Sequence, residues 1–328
     1  MNAFLKVAAV AATALSASTV SLAAEIDTVT LRLAHVVNEQ DAYHTAAVKF
    51  QELVTERSEG AITIEIFPNA TLGDERTLLE GMQIGTVDMG VITNGPVANF
   101  LEDMAVFELP FLFPSPEAAY GVLDGEIGQE LLDRLSEVNL KGLAYAERGF
   151  RNLTNSERAV TTPADLDGLR VRVMENPVYI DTFRELGADA IPMAWTEALT
   201  AMQQGTIDGQ ENPVGVVYAF KLNETQTNMT MTRHTYAPAL FVMGMPKWNQ
   251  LSEETQALIT EAAQDAAEYE RALNAELEGE QLQSLKDAGM TIVEDADLAA
   301  FSAAVQPVYE KYGAKFGDYL PRIQDALK

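Results

Sequence analysis

One seven-residue string occurs twice in this chain, and that bounds what it can fold into. Met82-Gln83-Ile84-Gly85-Thr86-Val87-Asp88 returns as Met202-Gln203-Gln204-Gly205-Thr206-Ile207-Asp208, 120 residues later and with five identities. A helical pattern leads into both copies, with Leu79 matching Leu199. An Asn and a Pro follow both: Asn94 with Pro96, and Asn212 with Pro213. A fainter echo pairs Leu31-Arg32-Leu33 with Leu169-Arg170-Val171. Each copy has the form of a helix, a glycine stop and an apolar strand. The spacing is far beyond solenoid periods of roughly 20–50 residues. Two similar α/β lobes are therefore expected, and 328 residues suit about two domains.

The N-terminus reads as an export signal rather than as part of either lobe. Lys6 precedes an apolar run from Val7 to Ala17, and small residues follow to Ala24. The run is too short to span a bilayer, which takes about 20 residues. Cleavage is expected after Ala23 or Ala24, which places the product in the periplasm. Cysteine is absent, so disulfides, thiolate metal sites, thiol nucleophiles and a lipid anchor are excluded. The net charge is −27, falling to −28 once Lys6 leaves with the signal. So acidic a surface argues against nucleic acid, whose phosphates demand Lys and Arg.

Local patterns fill in the lobes. Val29, Leu31 and Leu33 alternate with polar residues, as do Ile62, Ile64 and Ile66, which predicts two strands. Ala46, Ala47, Phe50, Leu53 and Val54 recur at helical spacing between them, with Gly60 as a stop, so the unit is βαβ in a mainly parallel sheet. Ser252 can cap a helix running to about Lys286, with Gly289 beyond. Such a helix is ~50 Å long, enough to bridge both lobes; Gly279 is the one place where it could break in two.

Positive charge is concentrated in one segment. Five arginines and no lysine lie between Arg148 and Arg172, against Glu157, Asp165 and Asp167. On the strand Leu169–Val173, Arg170 and Arg172 share one face. Arg172 stands near the carboxyl end, where open α/β sheets bind ligands. A buried Arg needs an anionic partner. Two partners are open for it: Glu211 of the second repeat's loop, or a ligand carboxylate, with both together also possible. The chain offers no catalytic constellation. His35, His44 and His234 sit in no metal motif, and no nucleophile elbow, P-loop or G-x-G-x-x-G occurs.

An ordered series of motifs then points to a family. It comprises Leu72-Gly73-Asp74-Glu75-Arg76, Leu109-Pro110-Phe111-Leu112-Phe113, Gly149-Phe150-Arg151-Asn152, Thr162-Pro163-Ala164-Asp165-Leu166, Arg172-Val173, Pro192-Met193-Ala194-Trp195 and Gly205-Thr206-Ile207-Asp208-Gly209-Gln210-Glu211-Asn212-Pro213. Over essentially the whole mature chain this resembles the extracytoplasmic solute receptor of a TRAP transporter, the DctP-type family. The resemblance implies a two-lobed α/β binding protein with mixed sheets, strands crossing between the lobes and a long bridging helix. It divides the chain into residues 25–148 with about 238–277, and residues 149–237 with about 278–328.

The resemblance also implies a ligand set. The carboxylate-binding Arg falls on Arg172, a second Arg on Arg151, the loop Asn on Asn212 and the packing aromatic on Trp195. Glu211 would brace Arg172. First-lobe contacts fall on or near His35, Glu75, Thr93 and Asn94, and Glu175 follows the Arg strand. No catalytic residue, metal or cofactor is expected. The implied partners are a small organic acid and TRAP permease subunits, with the receptor a monomer. Arg148 and Met174 depart from the residues common in relatives (Asn and Pro), so the substrate cannot be copied from well-known members. The closest likeness is to sugar-acid and uronate binders. A C4-dicarboxylate receptor is the alternative and would need a further cation, for which Arg76 is the candidate. A periplasmic sugar-acid enzyme and a receptor feeding a sensor kinase are the alternatives from other classes.

Overall fold

The computed structural model describes residues 26–328, so the expected export signal lies outside the described residues. One continuous hydrogen-bonded sheet of nine strands organises them, in the order β2-β1-β3-β8-β4-β7-β5-β6, with β9 on β8. The strands are β1 (Val29–Ala34), β2 (Ile62–Phe67), β3 (Met89–Thr93), β4 (Leu140–Asn155), β5 (Arg170–Val173), β6 (Asp189–Pro192), β7 (Gly209–Asn212), β8 (Asn228–Gly244) and β9 (Thr291–Val293). The order is nearly a palindrome. β1 runs parallel between β2 and β3, and β5 runs parallel between β6 and β7. The long strands β8 and β4 lie antiparallel between these two halves and join them.

The sequence repeat has a structural cause. In the first half Asp88 accepts from the backbone N–H of Arg32 at 2.8 Å and from its Nε at 3.1 Å. In the second, Asp208 accepts from Arg170 N–H at 2.8 Å and Nε at 3.0 Å. The Asp that ends each repeat thus locks the Arg of that half's central strand. The preceding glycines cap their helices with left-handed backbone, φ 81° at Gly85 and 66° at Gly205. The two echoes in the sequence are two ends of one ion pair, built twice.

Six helices matter for the site: α1 (Ala42–Arg57), α2 (Glu75–Ile84), α3 (Pro177–Glu185), α4 (Trp195–Gln203), α5 (Val214–Ala219) and α6 (Glu253–Asp287). α1 is capped by Asp41 and buries Ala46, Ala47, Phe50 and Val54, as their spacing predicts. Phe50 meets Phe241 of β8 with ring centroids 5.4 Å apart. Burying a side chain of that size contributes about 1.5–3 kcal/mol. α6 is unbroken over 35 residues, and Gly279 does not interrupt it. Its stripe of Ala262, Ala263, Ala266 and Ala267 is buried, and the helix packs on α1, β4 and α5, so it touches both halves. None of the helices among the described residues is long and apolar enough to cross a membrane.

The crossing strands bend where the halves meet. Glu147 pairs with Pro238 and Gly149 with Ala237, leaving Arg148 as a bulged residue, while Gly149 takes φ 98°. The Glu147 N–H at the bulge is met by Glu270 of α6 at 2.9 Å. Arg271, next on that helix, donates to the Tyr145 carbonyl and to Asp124. Adjacent charged residues of the long helix therefore stitch it to the bend. The C-terminal segment reaches both halves: Tyr309 donates to Pro110 at 2.8 Å, Tyr319 to Glu130 at 2.7 Å and Lys311 to Asp181 at 2.5 Å.

Candidate ligand-binding site

Arg172 projects from β5 into a pocket between the halves and is only 4% exposed. Its Nε and Nη2 both donate to the Met193 carbonyl, at 3.0 and 2.8 Å, which fixes the guanidinium plane. Among the described residues it belongs to no ion pair, and its hydrogen bonds come from Nε and Nη2. Burial pulls the group down to about 10, a depression that the more distant Glu211 charge only partly offsets. Trp195 opens α4 beside it, with its ring centre 5.7 Å from the guanidinium carbon. The buried Trp195 Nε1 donor also has no partner.

The opposite wall comes from the first half. Glu75, at the start of α2, accepts the Thr93 N–H at 2.7 Å and lines the pocket with Val36, Asp74, Arg76, Pro96 and Asn99. Burial raises the Glu75 carboxyl, against Thr93 and the charges of Arg148 and Arg172. Arg76 turns outward to Glu80 at 3.0 Å, with 68% of its side chain exposed. Glu175 stands on the exposed rim. Three asparagine amides clasp the halves: Asn99 to the Glu175 carbonyl at 2.7 Å, Asn176 to Gly95 at 2.9 Å and Asn38 to Ala219 at 3.0 Å. The cavity left between the walls is about 40 Å³. That admits a few water molecules, so a six-carbon acid enters only when the halves part.

Arg151 is placed otherwise. It is 1% exposed and its Nε and Nη2 grip the Glu211 carboxylate, with a further bond to the Glu211 carbonyl at 2.7 Å. His234 approaches the same carboxylate at 3.2 Å. Burial alone would raise Glu211; Arg151 and His234 outweigh it and hold the carboxyl at about 2. Glu211, expected to brace Arg172, thus bonds Arg151 directly and reaches Arg172 only through its charge. Register is the reason: Arg172 lies opposite Gln210 on β7, and the next residue, Glu211, turns to the other face.

Asn94 joins the same buried network. Its amide donates to Glu108 at 2.6 Å and to the Met104 carbonyl at 3.0 Å. Glu108 also accepts the Tyr179 hydroxyl at 2.6 Å, and Tyr179 lies 5.5 Å from the Arg151 guanidinium. Burial pushes Glu108 up to about 7 despite these donors. Asn212 donates to Gln210 at 2.6 Å. His35 meets His44 at 3.2 Å, with its Nδ1 unpartnered; burial and then His44 pull it down to about 4. Of the residues expected in the site, Arg172, Trp195, Glu75 and Glu175 line the pocket. His35, Thr93, Asn94, Arg151 and Asn212 are buried but do not line it. Glu108, Tyr179 and Tyr43 escaped sequence reasoning. Glu108 abuts the Leu109-Pro110 motif, but nothing there marks a buried carboxylate.

A larger cavity, about 880 Å³, lies behind the crossing strands against α6. Its lining carries seven carboxylates against three guanidiniums. Two of those guanidiniums are already paired, Arg148 to Asp41 and Arg271 to Asp124. It offers no unpaired buried cation such as Arg172, so the smaller pocket is the candidate anion site.

Residues 33–315 match the model of the DctP family, bacterial extracellular solute-binding protein, family 7. The chain belongs to this family. Its fold agrees with solved TRAP periplasmic solute-binding proteins. One, from Bordetella bronchiseptica, is 40% identical over 91% of this chain and 98% of its own, with a TM-score of 0.88; its bound density was assigned as pantoate. A sugar acid binding protein from Advenella mimigardefordensis, solved with galactonate, is 33% identical over 92% and 99%, with a TM-score of 0.90. A third, from Chromohalobacter salexigens with bound D-glucuronate, is 34% identical over 90% and 99%, with a TM-score of 0.87. This member of the DctP family is accordingly a two-lobed TRAP-type solute receptor and not an enzyme. The family is periplasmic, binds small organic acids and works with TRAP permeases.

Proposed function

We propose that this receptor captures a sugar acid, a uronate or aldonate, with its carboxylate seated on Arg172. The observation that carries this is a buried guanidinium held in place by a carbonyl and with no carboxylate in ion-pair contact. A ligand carboxylate removes that imbalance, and each charge-assisted bond contributes about 1.5–3 kcal/mol. Trp195 packs on the sugar ring and its Nε1 donates to a ring or hydroxyl oxygen. Glu75 accepts hydroxyl protons at the far end. His35, Thr93, Asn94, Arg151 and Asn212 shape the walls, and Glu175 closes the rim. The far wall also weighs against a C4-dicarboxylate. Asp74 and Glu75 would repel a second carboxylate, and Arg76 faces Glu80 instead.

Only a ligand touching both halves favours the closed form, because a population shift requires differential affinity. The asparagine clasps then complete closure, and the closed receptor delivers the acid to its permease. The N-terminal signal exports the chain, which acts as a monomer in the periplasm. A thermal-shift screen of D-glucuronate, D-galacturonate, galactonate, pantoate and succinate tests this. A sugar acid at ~100 times its dissociation constant adds ~2.7 kcal/mol. Stabilisation by succinate alone, or unchanged stabilisation in Arg172→Ala, would overturn the proposal.

A further inference from the structure

Arg148 is the one residue of β4 that the bend leaves without a pairing partner between Glu147 and Gly149. Strand alternation is suspended there, and the side chain reaches α1 instead of packing on the sheet. Nη1 donates to Asp41, the α1 cap, at 2.6 Å, and both side chains are buried. The guanidinium carbon lies 4.2 Å from the centre of the Tyr43 ring. The Tyr43 hydroxyl is 3.0 Å from the Thr93 hydroxyl, and the Thr93 N–H donates to Glu75 in the pocket wall. These residues form one file: hinge strand, helix start, strand end, ligand wall.

We propose that Arg148 is a positioning residue for ligand specificity: through Tyr43 and Thr93 it fixes the Glu75 carboxylate and keeps it an acceptor for the ligand's hydroxyl groups. The file lies on the first half and the hinge strand, so it persists when the pocket opens, whereas Arg172 withdraws with the second half. Several charges face Glu75. Arg148 stands behind Tyr43, Arg172 lies across the pocket on β5, Asp74 and Arg76 flank it in sequence, and Glu175 is on the opposite rim. Burial acts to neutralise Glu75; the Thr93 hydrogen bonds oppose it first, and after them Arg148 and Arg172, of which Arg148 acts from a place no ligand displaces. The inference rests on the sugar-acid reading of the pocket, because it gives Glu75 a hydroxyl to bind.

The test compares wild type, Arg148→Gln, Arg148→Lys and Tyr43→Phe. The Glu75 carboxyl is titrated by carbon-13 NMR without ligand, with Glu75→Gln to assign the signal. D-Glucuronate affinity is followed by calorimetry from pH 5 to 8. In Arg148→Gln the Glu75 titration moves to higher pH, and affinity falls roughly five- to thirtyfold. The loss deepens as the pH drops, because a protonated Glu75 no longer accepts as an anion. Lysine at 148 restores the titration, and Tyr43→Phe weakens binding without moving it far. A Glu75 titration unchanged in Arg148→Gln, with only a lower Tm, would overturn the proposal. Failure of D-glucuronate to bind wild type would instead count against the sugar-acid reading, and the ligand-free titration would still decide the role of Arg148.

Discussion

Two arginines that look alike in the sequence have opposite situations in the fold. Arg151 is paired with Glu211, and removing it leaves a buried carboxylate with only His234 beside it. Arg172 has a carbonyl and an aromatic ring but no carboxylate in direct contact. Arg151→Ala should therefore destabilise the protein by about 3–5 kcal/mol in urea titrations. Arg172→Ala should cost distinctly less while abolishing ligand-induced stabilisation. Equal destabilisation by both would contradict this division of roles. Strand position and residue type made Arg172 legible. The partner of Glu211 was not, because one residue of register on β7 decides which face its side chain takes, and register is set by tertiary pairing.

At the scale of elements, the repeat foretold two like halves, and the structure shows the ion pairs Arg32–Asp88 and Arg170–Asp208 behind it. The long helix was legible from its cap and its helix-forming composition, although Gly279 left open a break that does not occur. The bend in β4 was not legible. Gly149 hinted at it, but its support comes from Glu270, 123 residues away. That carboxylate is fully buried and meets the Glu147 N–H at the bulge. Glu270→Leu should cost about 1–3 kcal/mol by orphaning the N–H. Glu270→Gln, whose amide oxygen still accepts, should cost clearly less. Chemical denaturation of the two variants distinguishes a specific acceptor from mere packing, for which leucine would be the milder change.

For the whole molecule, buried carboxylates set the response to pH. Glu211, held at about 2, contributes stability above its unfolded value near 4.5 and loses it as pH falls. Glu108, raised to about 7, contributes in the other sense: its stability is present below about 4.5 and is lost as pH rises through 7. Burial raises Glu75, Glu147 and Glu270 as well. His35, pulled down to about 4, and His234, also lowered by burial, act the opposite way and add stability as pH rises to about 6.5, so Tm should peak between about pH 5 and 7 and decline towards pH 8. Glu108→Gln should flatten the alkaline side. A Tm that climbs steadily from pH 5 to 8 would contradict this. The net charge of −27, mostly on the surface, adds self-repulsion to the same decline and should make it salt-sensitive. That acidity never excluded an anionic ligand, because a small acid meets the buried Arg172 rather than the surface field.

The central claim is that a buried guanidinium with no carboxylate in direct contact waits for one. A crystal structure of the receptor with D-glucuronate tests it most directly. The account predicts the carboxylate on the free edge of Arg172 beside Trp195, with hydroxyl groups directed at Glu75. A carboxylate bound instead at Arg76, or in the larger cavity against the long helix, would contradict it.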